Sequence, residues 1–422
     1  MAALTLTSTI RQRSGLTGRG WAFLASGTGL AMLGVWLGLL PAVQFGALVA
    51  LLPVAAGLAT HAPRRAVQLD RVMSAKELPS GDDLLVTLNV RGRLPRGRTL
   101  LIEDPAPAAL GGPRRLAVAG SAGPTLARGH YRVRTGTRGV HAFGPTRVHV
   151  VDAFGMVHRT RAAGSPDSVI VLPRVVPLDP FVLGGASLGT GTGHVGALGA
   201  ASDDVIPRDY RPGDEVRRID WKASARTGSL MVRSEESPWR TAVNVVVDLH
   251  AANHHGQEPD SSLDVALSAA ASVGCLALAS GWDLRMRTTD DLLLFSGSPM
   301  SGVAEERREL LHTLATVPTS RSEVPSPSLR HTADATSTGP VVLIVGGISQ
   351  AAAGILAGIG GHSRQRLLLV VDAWRWDADR AAGAAEPADL SLASFVAAGW
   401  RIRHIARGGD LAATWARLAG PA

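Results

Sequence analysis

No charged residue occurs between Trp21 and Leu40, and none between Pro41 and Thr60. Each stretch is close to the roughly 20 apolar residues a helix needs to cross a bilayer core of about 30 Å. The backbone of such a segment must satisfy its own polar groups, so two adjacent spans predict a helical transmembrane hairpin. Arg11, Arg13 and Arg19 precede the first stretch, Arg64, Arg65 and Arg71 follow the second, and the turn near Pro41 is uncharged. Positive charge is retained on the cytoplasmic side, which places both ends and the soluble remainder in the cytoplasm, anchored to the cell membrane. A cleaved signal peptide is the rival reading, but its apolar region is only about 7 to 15 residues long, and here a second span follows at once. Gly34 and Gly38 form a small-xxx-small pair suited to close helix packing.

The remaining chain is too long for one compact domain. Its organisation is read as a tail (1–20), the hairpin (21–60), a β-sandwich-like domain (66–180), a Gly-rich loop with a polar segment (181–240) and an α/β domain (241–422). In the first soluble domain, Leu84 to Val90, Tyr131 to Thr135, Thr146 to Val151 and Ser168 to Leu172 alternate between Gly and Pro turns, as short antiparallel strands do. Val148 and Val150 take one face, Arg147 and His149 the other, which predicts a sheet with one wet side. Phe143 and Phe154 read as core plugs. The formal charge of +8 comes almost entirely from arginine, since Lys76 and Lys222 are the only lysines. Cys275, the only cysteine, excludes an internal disulfide and lies in an apolar helical stretch as a small core residue.

Two glycine patterns mimic catalytic motifs. Gly185-Ala-Ser187-Leu-Gly189 spells a nucleophile elbow, and Gly191-Thr-Gly193-His-Val-Gly196 spells a dinucleotide fingerprint. Both need a strand before and a helix after, and the flanking sequence supplies neither. Neither lysine follows a glycine, so a P-loop is excluded and any ATP hydrolysis of that type comes from a partner.

Between Pro207 and Glu236 lies PRDYRPGDEVRRIDWKASARTGSLMVRSEE. Arg211-Pro-Gly213-Asp214 is turn chemistry. Tyr210 precedes it, and Arg217, Arg218, Asp220, Trp221, Lys222 and Arg226 follow. In one reading Asp214 and Asp220 pair with these arginines and a buried Trp221 bolts two domains together. In the other the arginines and Trp221 form a docking surface or anion site. Catalysis by Asp214 or Asp220 lacks a nucleophile or base partner. The segment resembles the signature of the domain-of-unknown-function 58 family, and Arg138 to Pro145 with Asp152 to Gly155 resembles the turns preceding it. The resemblance implies a membrane-anchored partner of a MoxR-type AAA+ ATPase.

From Thr241 onward apolar β-branched runs alternate with helical ones. Val243 to Asp248, Leu284 to Arg287, Val341 to Val345, Leu367 to Asp372 and Ile402 to Ala406 predict a parallel sheet, with helices at Leu263 to Ala279 and Val303 to Thr316. Leu292 to Phe295 predicts an antiparallel edge, Asp260 or Ser261 caps the first helix, and Asp410 caps the last. This order resembles a von Willebrand factor A domain, whose Asp-x-Ser-x-Ser loop binds a hard cation such as Mg²⁺. Asp248 keeps the Asp position, but His250 and Ala252 replace both serines, and Gly346-Gly347-Ile348-Ser349 stands where a further acidic ligand is implied. No cofactor is therefore expected. His250, His254 and His255 offer a softer set for Zn²⁺, with a polar loop as the alternative.

Together with these features, the family resemblance implies a non-enzymatic, membrane-anchored adaptor that recruits an AAA+ ATPase and its protein clients. The alternatives are binding of anionic lipid or nucleic acid by arginine clusters, a metal-dependent module at Asp248, and an enzyme using Ser187 or Asp248. Few aromatics interleave with the basic runs, which disfavours a single-strand nucleic-acid binder.

Overall fold

A computed structural model of the chain describes residues 15–61, 68–91, 99–119, 125–152, 154–183, 186–187, 207–209, 219, 221–233, 242–322, 324–330, 339–361, 363, 365–376 and 390–420. The chain divides into two compact units, Met1–Pro173 and Arg174–Ala422. This boundary precedes Pro180 because residues 174–181 are held by the second unit. Phe181 stacks on Trp282 at 5.1 Å and meets Trp415 edge-on at 5.2 Å. The Trp415 indole donates to the Asp179 carbonyl, and the Val176 amide donates to Ser272 Oγ, both at 2.9 Å.

The first unit begins with helices α1 (Gly18–Trp36) and α2 (Leu40–His61). The chain reverses through Leu37 to Leu39, with Gly38 at φ +68°, not at Pro41. Pro41 instead occupies the first turn of α2, where a missing N–H costs no intrahelical bond. The stretch Leu40–Leu58 is long and apolar enough to cross a membrane and is barely covered by protein. Ser262–Ala279 also meets that measure, but it is 72% buried and belongs to the core of the second unit. Glycine-rich α1 is less apolar, yet Trp21, Met32, Val35 and Trp36 project from it into the surroundings.

The helices meet along Gly27 and Gly34 of α1 and Gly46 of α2. A Cβ at Gly27 would lie 2.4 Å from the Ala50 nitrogen, one at Gly46 2.5 Å from the Ala31 nitrogen, and one at Gly34 2.8 Å from the Val43 nitrogen. The seam therefore pairs Gly34 with Gly27, while Gly38 serves the turn. Gly27→Leu is expected to force the backbones apart and destabilise the hairpin by about 1 to 3 kcal/mol. Gly29→Leu, at a position open to the surroundings, is the control. Thermal unfolding of the detergent-solubilised chain checks this, and equal midpoints for the two variants would contradict the seam.

Ten strands follow: β1 (Gln68–Met73), β2 (Glu77–Pro79), β3 (Asp83–Arg91), β4 (Thr99–Asp104), β5 (Arg114–Ala119), β6 (Thr125–Arg134), β7 (Gly139–Phe143), β8 (Thr146–Val151), β9 (Val157–Ala163) and β10 (Asp167–Leu172). They form sheets β1-β3-β6 and β2-β10-β7, and a five-stranded sheet in which Gly15–Leu16 precedes β9-β8-β4-β5. All pairings are antiparallel except β2 with β10. One core joins the three sheets, with Leu84, Val86, Leu88 and Val90 of β3 packed with Ile102, Phe143, Val148 and Val169. Period-2 alternation is what lets a strand contribute every second residue to such a core.

Three expectations change here. Phe154 is 69% exposed at the tip of a turn closed by Asp152, whose carboxylate accepts the Phe154 and Val157 amides. His149 is not on a wet face: it is buried beside Glu103 (3.1 Å) and stacked on His158. Arg71 does not flank the membrane as a free cation. Its guanidinium is internal, pairing with fully buried Asp104 and with Asp167, while Tyr131 and Thr146 hydroxyls donate to the same Asp104 carboxylate at 2.6 and 3.0 Å. Arg64 and Arg65 lie outside the described residues.

The hairpin is built into the five-stranded sheet. Gly15 and Leu16 pair with His158 and Val157. Thr17 caps α1, accepting the Gly20 amide and donating to the Gly155 carbonyl at 2.6 Å.

The second unit contains β11 (Pro207–Asp209), α3 (Trp221–Thr227), β12 (Met231–Arg233), β13 (Ala242–Val247), α4 (Ser262–Ala279), β14 (Asp283–Thr288), β15 (Leu293–Gly297), α5 (Val303–Thr316), β16 (Val341–Val345), α6 (Gln350–Leu356), β17 (Arg366–Val371), α7 (Leu390–Ala397), β18 (Arg401–Ile405) and α8 (Leu411–Ala419). Six strands form a mixed sheet in the order β15-β14-β13-β16-β17-β18, parallel except for edge strand β15. Every residue of β13 and β16 is buried, as expected of central strands covered on both faces. Ser261 caps α4 in a reciprocal capping box with Asp264, and Asp410 caps α8.

Candidate functional site

From β13 the chain next enters the sheet as β14 on one side and as β16 on the other. The strand order reverses there, and sheets of this kind take ligands in the crevice beyond the carboxyl ends of such strands. Asp248 stands at this point, directly after β13, and is 2% exposed. The loop beyond it folds as a single 3₁₀ turn, Ala251–Asn253. That turn fills the crevice: the Gly347 amide donates to the Asn253 carbonyl at 2.8 Å, and a Cβ at Gly346 would fall 2.2 Å from the same oxygen. Glycine at 346 is therefore a packing requirement, not the remnant of a ligand loop.

The Asp248 carboxylate is occupied by its own neighbours. One oxygen lies 2.7 Å from His250 Nδ1 and accepts the His250 amide (3.0 Å) and the Thr289 hydroxyl (3.2 Å). The other accepts Asn253 Nδ2 at 2.7 Å. Burial alone would raise its pKa, but these donors outweigh burial and hold it below the usual carboxylate range. His250 is 1% exposed and lies between two carboxylates, its Nε2 being 2.9 Å from Asp290. The Asp248 hydrogen bond, supported by Asp290, raises its pKa to about 9 despite burial, so it is an imidazolium at neutral pH. His254 behaves oppositely. Burial lowers its pKa, its Nε2 donates to the Asp248 carbonyl at 2.9 Å, and its Nδ1 accepts from Ser262.

A hard cation does not fit this arrangement. Both Asp248 oxygens already accept side-chain donors, residues 250 and 252 are His and Ala, and the positive charge opposite Asp248 is already His250. The softer set fails on geometry as well. His250 and His254 aim at different partners, and among the described residues no group of three or more His, Cys, Asp or Glu could hold a metal ion. Thr289, Asp290 and Asn253 went unread in the sequence. The available signal was the position of Thr289 and Asp290 at the carboxyl end of the strand beside β13.

Of the polar signature, Tyr210, Arg211, Gly213, Asp214, Arg217, Arg218 and Asp220 lie outside the described residues. The remainder forms a small unit in which β11 pairs antiparallel with β12 and α3 lies between them in sequence. Gly228 at φ +74° ends α3, and Ser224 Oγ accepts the Met231 amide at 2.9 Å. Trp221 is 67% exposed at the start of α3, which corrects the reading that buries it as a bolt. Lys222 and Arg226 are exposed on the same helix. Ser187 lies in a two-residue strand, Ala186–Ser187, paired with Val182–Leu183, which is not the strand-to-helix elbow a nucleophile requires.

A family model described as "Protein of unknown function DUF58" matches residues 207–347. Residues 207–347 are thus similar to that family. Among curated relatives, YeaD of Bacillus subtilis (strain 168) is 29% identical over 43% of this chain and 47% of its own length. Rv1480 of Mycobacterium tuberculosis is 31% identical over 30% of this chain and 39% of its own length. Both carry the description "Uncharacterized protein". The chain thus spans less than half the length of either relative. A cohesin from Archaeoglobus fulgidus aligns with 25% of this chain and 91% of its own at 17% identity, but its TM-score of 0.18 carries no argument. The matched segment runs from β11 and the exposed helix α3 through the Asp248 network to Gly347.

Proposed function

We propose that this DUF58 chain is a membrane-anchored, non-enzymatic adaptor that works with a MoxR-type AAA+ ATPase on client proteins. The observation that carries the reading is Trp221. A 67% exposed tryptophan with Lys222 and Arg226 on one short helix is the composition of an interface anchor awaiting a partner. Three further observations support it. The crevice at the strand-order reversal is filled by the 251–253 turn, which disfavours a small-molecule site. The sheet order with one antiparallel edge suits a von Willebrand A-like binding module whose cation position has been closed by His250. The glycine-seamed hairpin and exposed Phe154, next to the residues that hold the start of α1, suit a membrane anchor with an interfacial aromatic. Arg11, Arg13 and Arg19 before the hairpin and Arg64 and Arg65 after it support a cytoplasmic side for the rest of the chain.

Trp221→Ala with Arg226→Ala in the full chain tests the docking reading. Truncating an interface tryptophan costs about 2 kcal/mol or more, or roughly 30-fold in affinity. An AAA+ ATPase that co-purifies with the wild-type chain in mild detergent is expected to be lost from the double variant, with the thermal midpoint unchanged. Undiminished co-purification would refute docking through α3.

A further inference from the structure

The outward face of sheet β1-β3-β6 carries a charge pattern that folding does not require. Along β6 the inward side chains include Tyr131 and buried Val133, while Arg128, His130, Arg132 and Arg134 all point outward and are exposed. Cross-strand register places Asp83 opposite Arg134, but it places Leu85 opposite Arg132, Thr87 opposite His130 and Asn89 opposite Arg128. Asn89 Oδ1 accepts the Arg128 Nε at 2.9 Å, fixing that guanidinium over the sheet. Beside this row, Val72 is 50% and Leu85 38% exposed, although the strand pattern offers polar residues elsewhere on the face. Together they form a shallow depression of roughly 770 Å³, with aliphatic side chains and Thr87 alongside the cationic row.

We infer that this depression is a docking site for an extended acidic peptide segment of a partner protein. Successive outward residues of a strand stand about 7 Å apart, as do same-side residues of an extended ligand. Carboxylates at alternate ligand positions therefore meet Arg128, His130 and Arg132 in register, and arginine offers them paired donors. Leu85 and Val72 give the intervening ligand positions apolar contact. A single-stranded nucleic acid fits less well, because no Phe, Tyr or Trp lines the depression to stack a base. The site lies on a different sheet from the one that holds the hairpin and shares no residue with α3, so it stands independently of the ATPase reading.

The test uses the full chain in nanodiscs of uncharged lipid and three labelled probes in fluorescence anisotropy. The probes are a peptide with Glu at alternate positions between Val and Thr, a peptide of the same composition with its Glu residues contiguous, and an oligothymidylate. The alternating peptide is expected to bind most tightly and to weaken at least about tenfold with Arg128→Glu/Arg132→Glu. Leu85→Ser is expected to weaken that peptide severalfold without changing oligothymidylate binding. Every substituted side chain is on the surface, and unchanged thermal midpoints confirm folding. The inference is overturned if the alternating peptide does not bind, binds the double variant equally, binds no better than the contiguous peptide, or is outcompeted by oligothymidylate.

Discussion

Replacing Arg71 with methionine is expected to cost the first unit about 3 to 5 kcal/mol, because it leaves the Asp104 carboxylate fully buried with no cation. Burial opposes the Arg71 charge, but Asp104 and Asp167 outweigh it and raise its pKa further. The Tyr131 and Thr146 hydroxyls still donate to Asp104, so the loss is that of a counter-charge in a low-dielectric interior, not of every hydrogen bond. Arg71→Met combined with Asp104→Asn should recover much of the loss, since the uncharged amide accepts one of the two hydroxyls with its oxygen and donates its NH2 to the oxygen of the other. Hydrogen exchange read strand by strand checks both variants. Protection of β1 and β4 is expected to fall in the single variant and return in the double, and wild-type protection in Arg71→Met would show that the pair contributes nothing.

The second large effect is at His250. Its folded pKa, about 9, stands above the ordinary 6.5, so its contribution is fully present below pH 6.5 and is lost as pH rises through about 9. A shift of this size corresponds to roughly 3 kcal/mol. The neighbouring groups act in other windows. The lowered pKa of His254 makes stability fall as pH drops below about 6.5, and the lowered pKa values of Asp248 and Asp290 give stability that is lost in acid. The second unit should therefore be most stable near pH 6.5 and weaken toward pH 9. In His250→Ala, Asp248 is left buried without its cation, costing about 3 kcal/mol or more, and the decline between pH 6.5 and 9 should flatten. Urea unfolding across that range measures both. A decline that persists unchanged in the variant would place its origin elsewhere.

Elements governed by neighbours in sequence were legible. The Ser261 and Asp410 caps, the β16 run and the antiparallel edge at Leu293–Gly297 follow from local periodicity and cap chemistry. Short helices α6 and α7 were not read, because seven or eight residues show too little of a 3.6-residue period. Glycine spacing suggested Gly34 with Gly38, yet only the position of the turn shows that Gly27 and Gly46 face the partner backbone. Phe143 and Phe154 look alike in sequence. One lies in a strand facing the core, the other at a turn tip beside the start of α1, and burial separates them.

The two uncharged stretches, the change from period-2 strands to an α/β alternation and the absence of a P-loop are all legible in the amino-acid sequence, because each depends on residues a few positions apart. Tertiary structure alone decided which groups answer the buried charges. Asp104 meets Arg71 across 33 positions and Asp290 meets His250 across 40, and no local pattern encodes pairings so distant. At Asp248 the sequence shows a histidine and an alanine two and four positions on. The fold shows what that histidine does: it is held as a cation between two carboxylates, because burial in a low dielectric demands a counter-charge once the carboxylate is ionised.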